Sequence, residues 1–467
     1  MGTGGSNALI EAIESPGHLP TNDGATILSS MVLADPIEEM GRKILLEAVS
    51  RANKQSGDGS STTTVLTDAI VEEGMKHLGE MTPMQMKREL EACIPLIEEE
   101  LKKMSRPITV DEVGQVASIS AEDPEIGARL QEIYQKIGVD GIVYWDISKT
   151  AEDHYTIGTG ITIADAGYYT PYMCDVAESG QSAQRISIKN PQILVTKQKI
   201  TSVLDFEDIA STLNSRSIKD LVVFCDEVDP LVIPDLVKTR MIQGFRIILV
   251  KMPVVWKDQW YQDLALASGA KVVDPAAGFP MSSLTENDLG TFGHITVRKD
   301  ETLIDGIKDM SSHIQALKDE DTDDSNYRAA RLETKTARYY VGAYSESALS
   351  YRRLKVEDAI SASWQALHGG IVVGGGIALV NVATKLDNVI LREALLQPYE
   401  RICKNLHRVF TQVDMENQNV NDPMQVVINA GKNAVSVAAT VLTASTVITL
   451  PRQEEPESAA TIPVQTR

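Results

Sequence analysis

The sequence predicts a multidomain protein of the α and α/β classes, in which an α/β domain is inserted into a helical one. Its 467 residues exceed the length at which a single hydrophobic core stops growing, so two or three domains are expected. Apolar residues recur at helical spacing in the first third of the chain and again after about Asp300. Between these parts, short β-branched runs alternate with helical stretches, which is typical of a partly parallel sheet.

Individual elements follow from the same periodicities. The first third predicts helices over residues 36–54 and 83–104. The middle predicts strands over 186–195, 220–225, 245–250 and 271–273, separated by helices over 203–214, 231–242 and 259–268. The uncharged stretch 434–450 is rich in Ala, Ser and Thr, which gain little from lipid, so a buried helix is favoured over a membrane span. The polar tail from about residue 451 is expected to be disordered.

Composition limits the classes of partner. The net charge is −21, from 44 basic and 65 acidic residues, which argues against a binder of nucleic acid or of anionic membranes. Four cysteines lie far apart and form no CxxC pair, so neither a disulfide framework nor a zinc site is indicated. No apolar secretory stretch begins the chain. A reducing cytoplasm is the expected location.

The clearest local motif is Ser-Gly-Asp-Gly-Ser-Ser-Thr-Thr-Thr at residues 56–64, directly before an apolar helix. Free backbone N–H groups and hydroxyls at a helix N-terminus attract phosphate, and the helix dipole adds to the attraction. Asp58 would repel phosphate unless a cation lay between them, so its presence indicates Mg²⁺. A helix capped by Ser or Thr explains the motif equally well at this stage. It is not a Walker A loop, because no Lys follows the glycine.

Other short segments carry similar residue types. Turns begin at Gly2 and around Asp23, and a second Gly-rich turn spans residues 374–376. Asp358 lies in the helical segment Val-Glu-Asp-Ala. Each segment alone is explained as well by a tight turn or by a solvated surface carboxylate.

Taken together, the segments NDG, GDGSSTTTV, VEDA and GGG, with a long α/β insertion between the second and third, resemble the group I (GroEL-like) chaperonins. The resemblance runs from Gly2 to about Leu450, and residues 138–143 (GVDGIV) and 167–172 (GYYTPY) support it. Residues 22–28 are more similar to the group II chaperonins of archaea and eukaryotes. The chain is thus identified as a divergent member, for which a bacteriophage origin is one hypothesis.

The resemblance implies the chaperonin fold, with three kinds of domain. Residues 1–103 and 369–467 would form an all-helical equatorial ATPase domain. Residues 104–159 and 337–368 would form a small intermediate domain, and residues 160–336 an inserted α/β apical domain that binds substrate.

The resemblance also implies roles for single residues. Asp58 would be the Mg²⁺ ligand, Asp358 would orient the attacking water, and Asp23 would lie near the γ-phosphate. The other residues implied in nucleotide binding are Gly2, Gly59, Ser60, Ser61, Thr62, Ile119, Gly374, Gly375 and Asp422, the last as the acid that holds the ribose. The residues implied in binding non-native polypeptides are Tyr168, Tyr172, Met173, Ile233 and Val237, for which a place in the core is the alternative. The implied cofactors are ATP and Mg²⁺, with K⁺ as a further candidate.

The function implied is an ATP-dependent molecular chaperone that works as a homo-oligomeric ring, of seven subunits, single or double. Polypeptide clients would be its partners, and the need for a co-chaperonin lid stays open. The location would be the cytoplasm, or the host cytoplasm for a virus-encoded member. Glu207 and Ala210 stand where the family has leucines, and Lys238 stands at another position that is normally apolar. The segment between Gly376 and Asp422 is shorter than in the family. A ring scaffold that binds nucleotide without folding clients is therefore the alternative.

Overall fold

The structure is a computed structural model, and it describes residues 7–11, 18–174, 185–320, 322–333 and 335–448. The expectations for Gly2 and for the tail from residue 451 lie outside this part. The described chain divides into two compact units. Unit 1 holds residues 7–10, 18–131 and 350–448, and unit 2 holds residue 11 and the described part of 132–349. The division into equatorial, intermediate and apical domains stays a prediction.

The described helices, in chain order, are α1 Gly24–Ser30, α2 Pro36–Ser56, α3 Ser60–Lys76, α4 Pro83–Ala92, α5 Ile94–Met104, α6 Val113–Ala121, α7 Pro124–Ile137, α8 Glu207–Ser215, α9 Val232–Gln243, α10 Lys257–Ser268, α11 Ser311–Glu320, α12 Asp323–Leu332, α13 Glu346–Gly369, α14 Ile377–Ala383, α15 Val389–Ala394, α16 Gln397–Asn405, α17 Gln412–Asn417 and α18 Met424–Leu442.

The described strands are β1 Ala8–Glu11, β2 His18–Thr21, β3 Ile142–Ile147, β4 His154–Ala164, β5 Ile186–Lys189, β6 Gln192–Thr196, β7 Asp220–Cys225, β8 Arg246–Lys251, β9 Val272–Val273, β10 Gly290–Thr291, β11 His294–Val297, β12 Glu301–Asp305, β13 Lys335–Val341, β14 Ile371–Val373 and β15 Asn421–Pro423.

The helices of the first third begin and end as their sequence dictates. Asp35 caps α2 by accepting hydrogen bonds from the next turn, and Gly57 ends it with φ 68°, which only glycine adopts at low cost. The helix predicted over residues 36–54 is thus confirmed. The single helix predicted over 83–104 is wrong, because the chain forms α4 and α5 with a break at Cys93. Pro95 has no backbone N–H, so it cannot donate the hydrogen bond that α4 would need in order to continue. The new helix, α5, begins at Ile94 and carries Pro95 in its first turn.

The core of unit 1 is built around α18, which packs against α2, α3, α4 and α5. Its Ala and Val side chains, such as Ala434, Val435 and Ala438, are fully buried. The buried helix predicted from residue 434 is confirmed, but it ends at Leu442 rather than at 450. Among the described helices, none combines the length and the apolar character needed to cross a membrane.

Unit 2 contains two sheets. In the first, β6, β7 and β8 are parallel neighbours, β9 pairs in parallel with β6, and β10 pairs antiparallel with β6. The second has the order β3-β13-β4-β12-β11-β5. The alternation of strands and helices predicted for this region is confirmed by β6, β7, β8 and the helices α8, α9 and α10 between and after them.

One predicted strand of unit 2 is wrong. Residues 186–195 form β5 and β6, which belong to different sheets. Asn190 between them has φ 51°, a left-handed conformation that Asn tolerates and a continuous strand does not. Pro191 follows, and its missing N–H removes a ladder hydrogen bond at the same point.

Candidate functional site

The loop between α2 and α3 provides no side-chain cap for the start of α3. Gly59 precedes α3 with φ 91°, and no side chain caps the helix. A Cβ at Gly59 would lie 2.9 Å from Cγ1 of Val426, so a larger residue fits neither the conformation nor the space. The first N–H groups of a helix have no partner within it, and here no Ser or Thr side chain takes them. The geometry therefore favours the phosphate-loop interpretation of residues 56–64 over the capped-helix alternative.

Asp58 is held within this loop by two hydrogen bonds. Its Oδ1 accepts a bond of 2.6 Å from the N–H of Gly59, and its Oδ2 accepts one of 2.9 Å from Oγ of Ser120. Burial raises the pKa of Asp58, and the charge of Asp23 adds to the effect, while the two hydrogen bonds oppose it. Ser120 follows the predicted residue Ile119 on α6. The sequence analysis did not identify Ser120 as part of the site.

Asp23 lies close to the same loop. It caps α1, accepting a hydrogen bond of 2.7 Å from the N–H of Thr26. Its other carboxylate oxygen accepts a bond of 2.7 Å from Oγ of Ser60, the first residue of α3. The Ser60 hydroxyl thus ties Asp23 to the phosphate loop instead of capping its own helix.

Asp358 lies on α13 and joins the same cluster. Burial raises its pKa well above the usual range, and the next two causes are the charges of Asp58 and Asp23. The carboxylates of Asp58 and Asp23 therefore disfavour the ionisation of Asp358 through charge repulsion. Such repulsion is relieved by a cation, because a bound metal reverses the local electrostatics.

The cluster suits a metal ion that is held mainly by phosphate. Within the described ranges, no three His, Cys, Asp or Glu side chains are placed to hold a metal ion by themselves. Mg²⁺ characteristically uses one or two carboxylates together with waters and substrate phosphates. Asp58, the carboxylate inside the glycine loop, fits that role.

A buried cation borders the carboxylates. Lys355 is 7% exposed, and its charge lowers the pKa of both Asp58 and Asp358. Its Nζ lies 2.9 Å from Oε1 of Glu122, which also accepts a hydrogen bond of 2.8 Å from Asn22. The only sequence signal for Lys355 is its position three residues before Asp358, on the same helical face.

The second Gly-rich turn lies next to Asp422. Strands β14 and β15 pair so that Val372 is opposite Asp422. A Cβ at Gly374 would lie 2.9 Å from Oδ1 of Asp422, so the turn approaches the carboxylate closely. Burial and the charge of Asp58 raise the pKa of Asp422 to about 6, although the N–H of Gly375 donates to it. Helix α6, which carries Ile119, packs against β15.

The residues predicted to bind polypeptide lie in unit 2 and differ in exposure. Tyr172 is 77% exposed, and Ile233 and Val237 are half-buried. Tyr168 and Met173 are each only 5% exposed. Both belong to the hydrophobic core of unit 2, so the core alternative describes them and they do not lie on a binding face.

Two exposed apolar residues near the helices α8 and α9 were missed. Leu204 is 71% exposed and Leu231 is 80% exposed. In the sequence, they follow shortly after Ile200 and Val228, which pair with each other in an isolated parallel β-bridge. Glu207 and Lys238 are exposed, as expected for the charged residues that replace apolar ones there.

Comparisons with known proteins agree with this architecture. The TCP-1/cpn60 chaperonin family matches residues 1–135, the segment that contains Asp23 and the phosphate loop. The whole structure is similar to the chaperonin gp146 from bacteriophage EL 2 (Pseudomonas aeruginosa), crystallised in presence of ATP-BeFx. Crystal form II gives a TM-score of 0.66 at 17% identity and covers 97% of this chain and 95% of that one. Crystal form I gives 0.60 at 17% identity, covering 96% and 94%.

The chain therefore has the chaperonin fold, as predicted, with helical terminal parts around inserted mixed sheets. Its segment 1–135 is similar to the TCP-1/cpn60 chaperonin family, and membership of the whole chain in that family stays a prediction. The family that matches includes both the TCP-1 and the cpn60 branches, so the group I assignment stays a prediction. The bacteriophage origin likewise stays a hypothesis.

Proposed function

We propose that this chain is the subunit of an ATP-driven, ring-forming chaperone, in which ATP hydrolysis controls the binding and release of non-native polypeptides. The observation that carries the proposal is the uncapped N-terminus of α3 between two carboxylates, Asp58 in the loop before it and Asp23, which accepts a hydrogen bond from the Ser60 hydroxyl. A phosphate group and a divalent cation satisfy both features at once.

Each residue of the site has a task that its position supports. The N–H groups of Ser60, Ser61 and Thr62 would donate hydrogen bonds to phosphate oxygens, and Asp58 would hold Mg²⁺. When bound, Mg²⁺ supplies charge neutralisation for phosphoryl transfer. Asp358 has a raised pKa, so it is suited to orient a water molecule and to accept its proton.

The remaining residues would hold the nucleotide in place. Asp422 beside the Gly374 turn would hold the ribose, and Ile119 would lie along the nucleotide. Asp23, fixed by Ser60, would lie near the terminal phosphate. Phosphoryl transfer depends mainly on such positioning and on charge neutralisation.

The client surface would be formed by exposed apolar residues of unit 2. Tyr172, Leu204 and Leu231 are each more than two-thirds exposed, at 77%, 71% and 80%. Non-native chains expose apolar surface, and such residues bind it without directional requirements. Tyr172 and Val237 also line one small cleft, together with the buried Met173, which supports a shared role for them.

Replacement of Asp358 by Ala tests the ATPase proposal. We expect phosphate release to fall by about 10²–10⁴-fold, the usual range for a lost general base, while the dissociation constant for ATP with Mg²⁺ changes little. Asp68→Ala is the matched control, because Asp68 is an exposed carboxylate on α3. Unchanged phosphate release in the Asp358 variant would refute the assignment.

A ring scaffold that binds nucleotide but folds no clients remains the second candidate, and the exposed charges of Glu207 and Lys238 favour it. Refolding of an aggregation-prone protein separates the two. The chaperone proposal expects ATP-dependent recovery of the client, and it expects Tyr172→Ser with Leu231→Ser to abolish recovery without slowing ATP turnover. ATP turnover without any recovery would support the scaffold.

A further inference from the structure

Helix α13 contacts the rest of unit 1 on successive turns of one face. Lys355, Asp358, Ser361 and Gln365 recur every three or four residues, so they share that face. Lys355 pairs with Glu122, and Nε2 of Gln365 donates a hydrogen bond of 3.3 Å to the backbone oxygen of Gln55, near the end of α2. Asp358 therefore lies between two attachment points, and Ser361 lies one turn after it.

The contact made by Ser361 is with the phosphate loop itself. Gly57, directly before Asp58, has φ 68°. A Cβ added to Gly57 would overlap Oγ and Cβ of Ser361, whereas it would lie 3.7 Å from the Cα of Ser361, an ordinary contact. The side chain of Ser361 thus occupies the space that any side chain at position 57 would need.

We propose that Ser361, whose side chain fills the space beside Gly57, is a positioning residue that sets how closely Asp358 approaches the phosphate loop. The proposal rests on the proposed ATPase function. A displacement of about 1 Å at a reacting group costs roughly 10²-fold in rate. A contact one turn from Asp358 can therefore change the rate of ATP turnover. Ser361 itself needs no contact with nucleotide for this role.

This contact can be tested with a pair of substitutions, in which the second is expected to suppress the effect of the first. Gly57→Ala forces α13 away from the loop, so we expect kcat to fall by about tenfold to a hundredfold, with KM for ATP changed less than about threefold because the helix N-terminus stays in place. Ser361→Gly removes both overlapping atoms. The double variant is therefore expected to recover most of the kcat that Gly57→Ala loses.

The left-handed backbone at Gly57 needs its own control, because Ala is strained there whatever the space. Gly244 ends α9 with φ 64°, and a Cβ added there would meet nothing within 4 Å. Gly244→Ala therefore reports the backbone strain alone, and we expect it to lower the melting temperature without slowing ATP turnover. The same melting experiment on Gly57→Ala, Ser361→Gly and the double variant measures the packing contact in the free protein.

The outcomes separate the inference from the function. If Asp358→Ala abolishes turnover and the double variant recovers it, the positioning role holds. If Asp358→Ala abolishes turnover but the double variant is as slow as Gly57→Ala, strain in the loop causes the loss and the inference is overturned. If Asp358→Ala leaves turnover unchanged, the proposed function fails, and the positioning role falls with it.

Discussion

Replacement of Asp422 by Asn is expected to stabilise the free protein at neutral pH. Asp422 has a pKa raised from 3.8 to about 6 by burial and by the charge of Asp58. A carboxyl group whose pKa is higher in the folded state than in the unfolded state binds its proton more tightly when folded. Above the folded pKa, the ionised group costs stability, and an uncharged Asn of nearly the same shape removes that cost.

The magnitude and the pH window follow from the same shift. The difference between 3.8 and about 6 corresponds to about 3 kcal/mol, since one pKa unit is about 1.4 kcal/mol. Below pH 3.8 both forms are protonated, so the variant should gain almost nothing. Between pH 4 and pH 6 its advantage should grow by about 1.4 kcal/mol per pH unit and then stay constant.

Urea unfolding at several pH values between 4 and 8, without nucleotide, measures this advantage. Asp414→Asn is the matched control, because hydrogen bonds from Thr411 lower the pKa of Asp414. Its loss should destabilise the protein at neutral pH, the opposite sign. An Asp422 variant whose stability difference is the same at pH 4 and pH 7, or that is less stable at pH 7, would refute the electrostatic account of the site.

Two further predictions concern unit 2. His294 is buried and its pKa is lowered to about 4, chiefly by burial and by the charge of Arg338, so its contribution is present above pH 6.5 and is lost as pH falls towards 4. His294→Asn should flatten this acid-side loss of about 3 kcal/mol in urea unfolding, and an unaltered acid profile would contradict it. Asp263 is fully buried and lies 2.7 Å from Arg328 and 3.1 Å from His313. Arg328→Met should cost about 3 kcal/mol by leaving a buried charge poorly paired, and a melting temperature equal to the parent's would show that the pair contributes nothing.

The sequence predicted the elements whose signals are local. Helix α2, the parallel strands and the glycine turn before α3 each follow from periodicity, capping residues or glycine within about 20 residues. The breaks at Cys93 and Asn190 were missed although Pro95 and Pro191 mark them, because the apolar pattern continues across both. Local turn chemistry outweighs periodicity at such positions.

The parts that sequence could not predict depend on contacts between distant segments. Ser120 and Lys355 carry no motif, and they matter only because α6 and α13 reach Asp58 from 62 and more residues away. The burial of Tyr168 and Met173 is likewise a tertiary property, because the segment 167–173 carries no periodic pattern that would distinguish a surface turn from a core turn. The roles of Asp23, Asp58 and Asp358 stay a prediction, and only the resemblance suggested a link between residues so far apart in the sequence.

The structure shows attraction and repulsion acting on the same helix. The charges of Asp58 and Asp23 raise the pKa of Asp358, so they would repel its ionised carboxylate and favour a larger separation of α13 from the phosphate loop. The ion pairs of Lys355 with Glu122 and of Arg352 with Asp123 hold the helix in place. The packing of Ser361 against Gly57 limits how closely the helix approaches the phosphate loop. Binding of a cation would remove the repulsion while leaving the attachments intact. The attachments would then have no repulsion to oppose, so variants that weaken an attachment should harm the free protein more than the nucleotide-bound one.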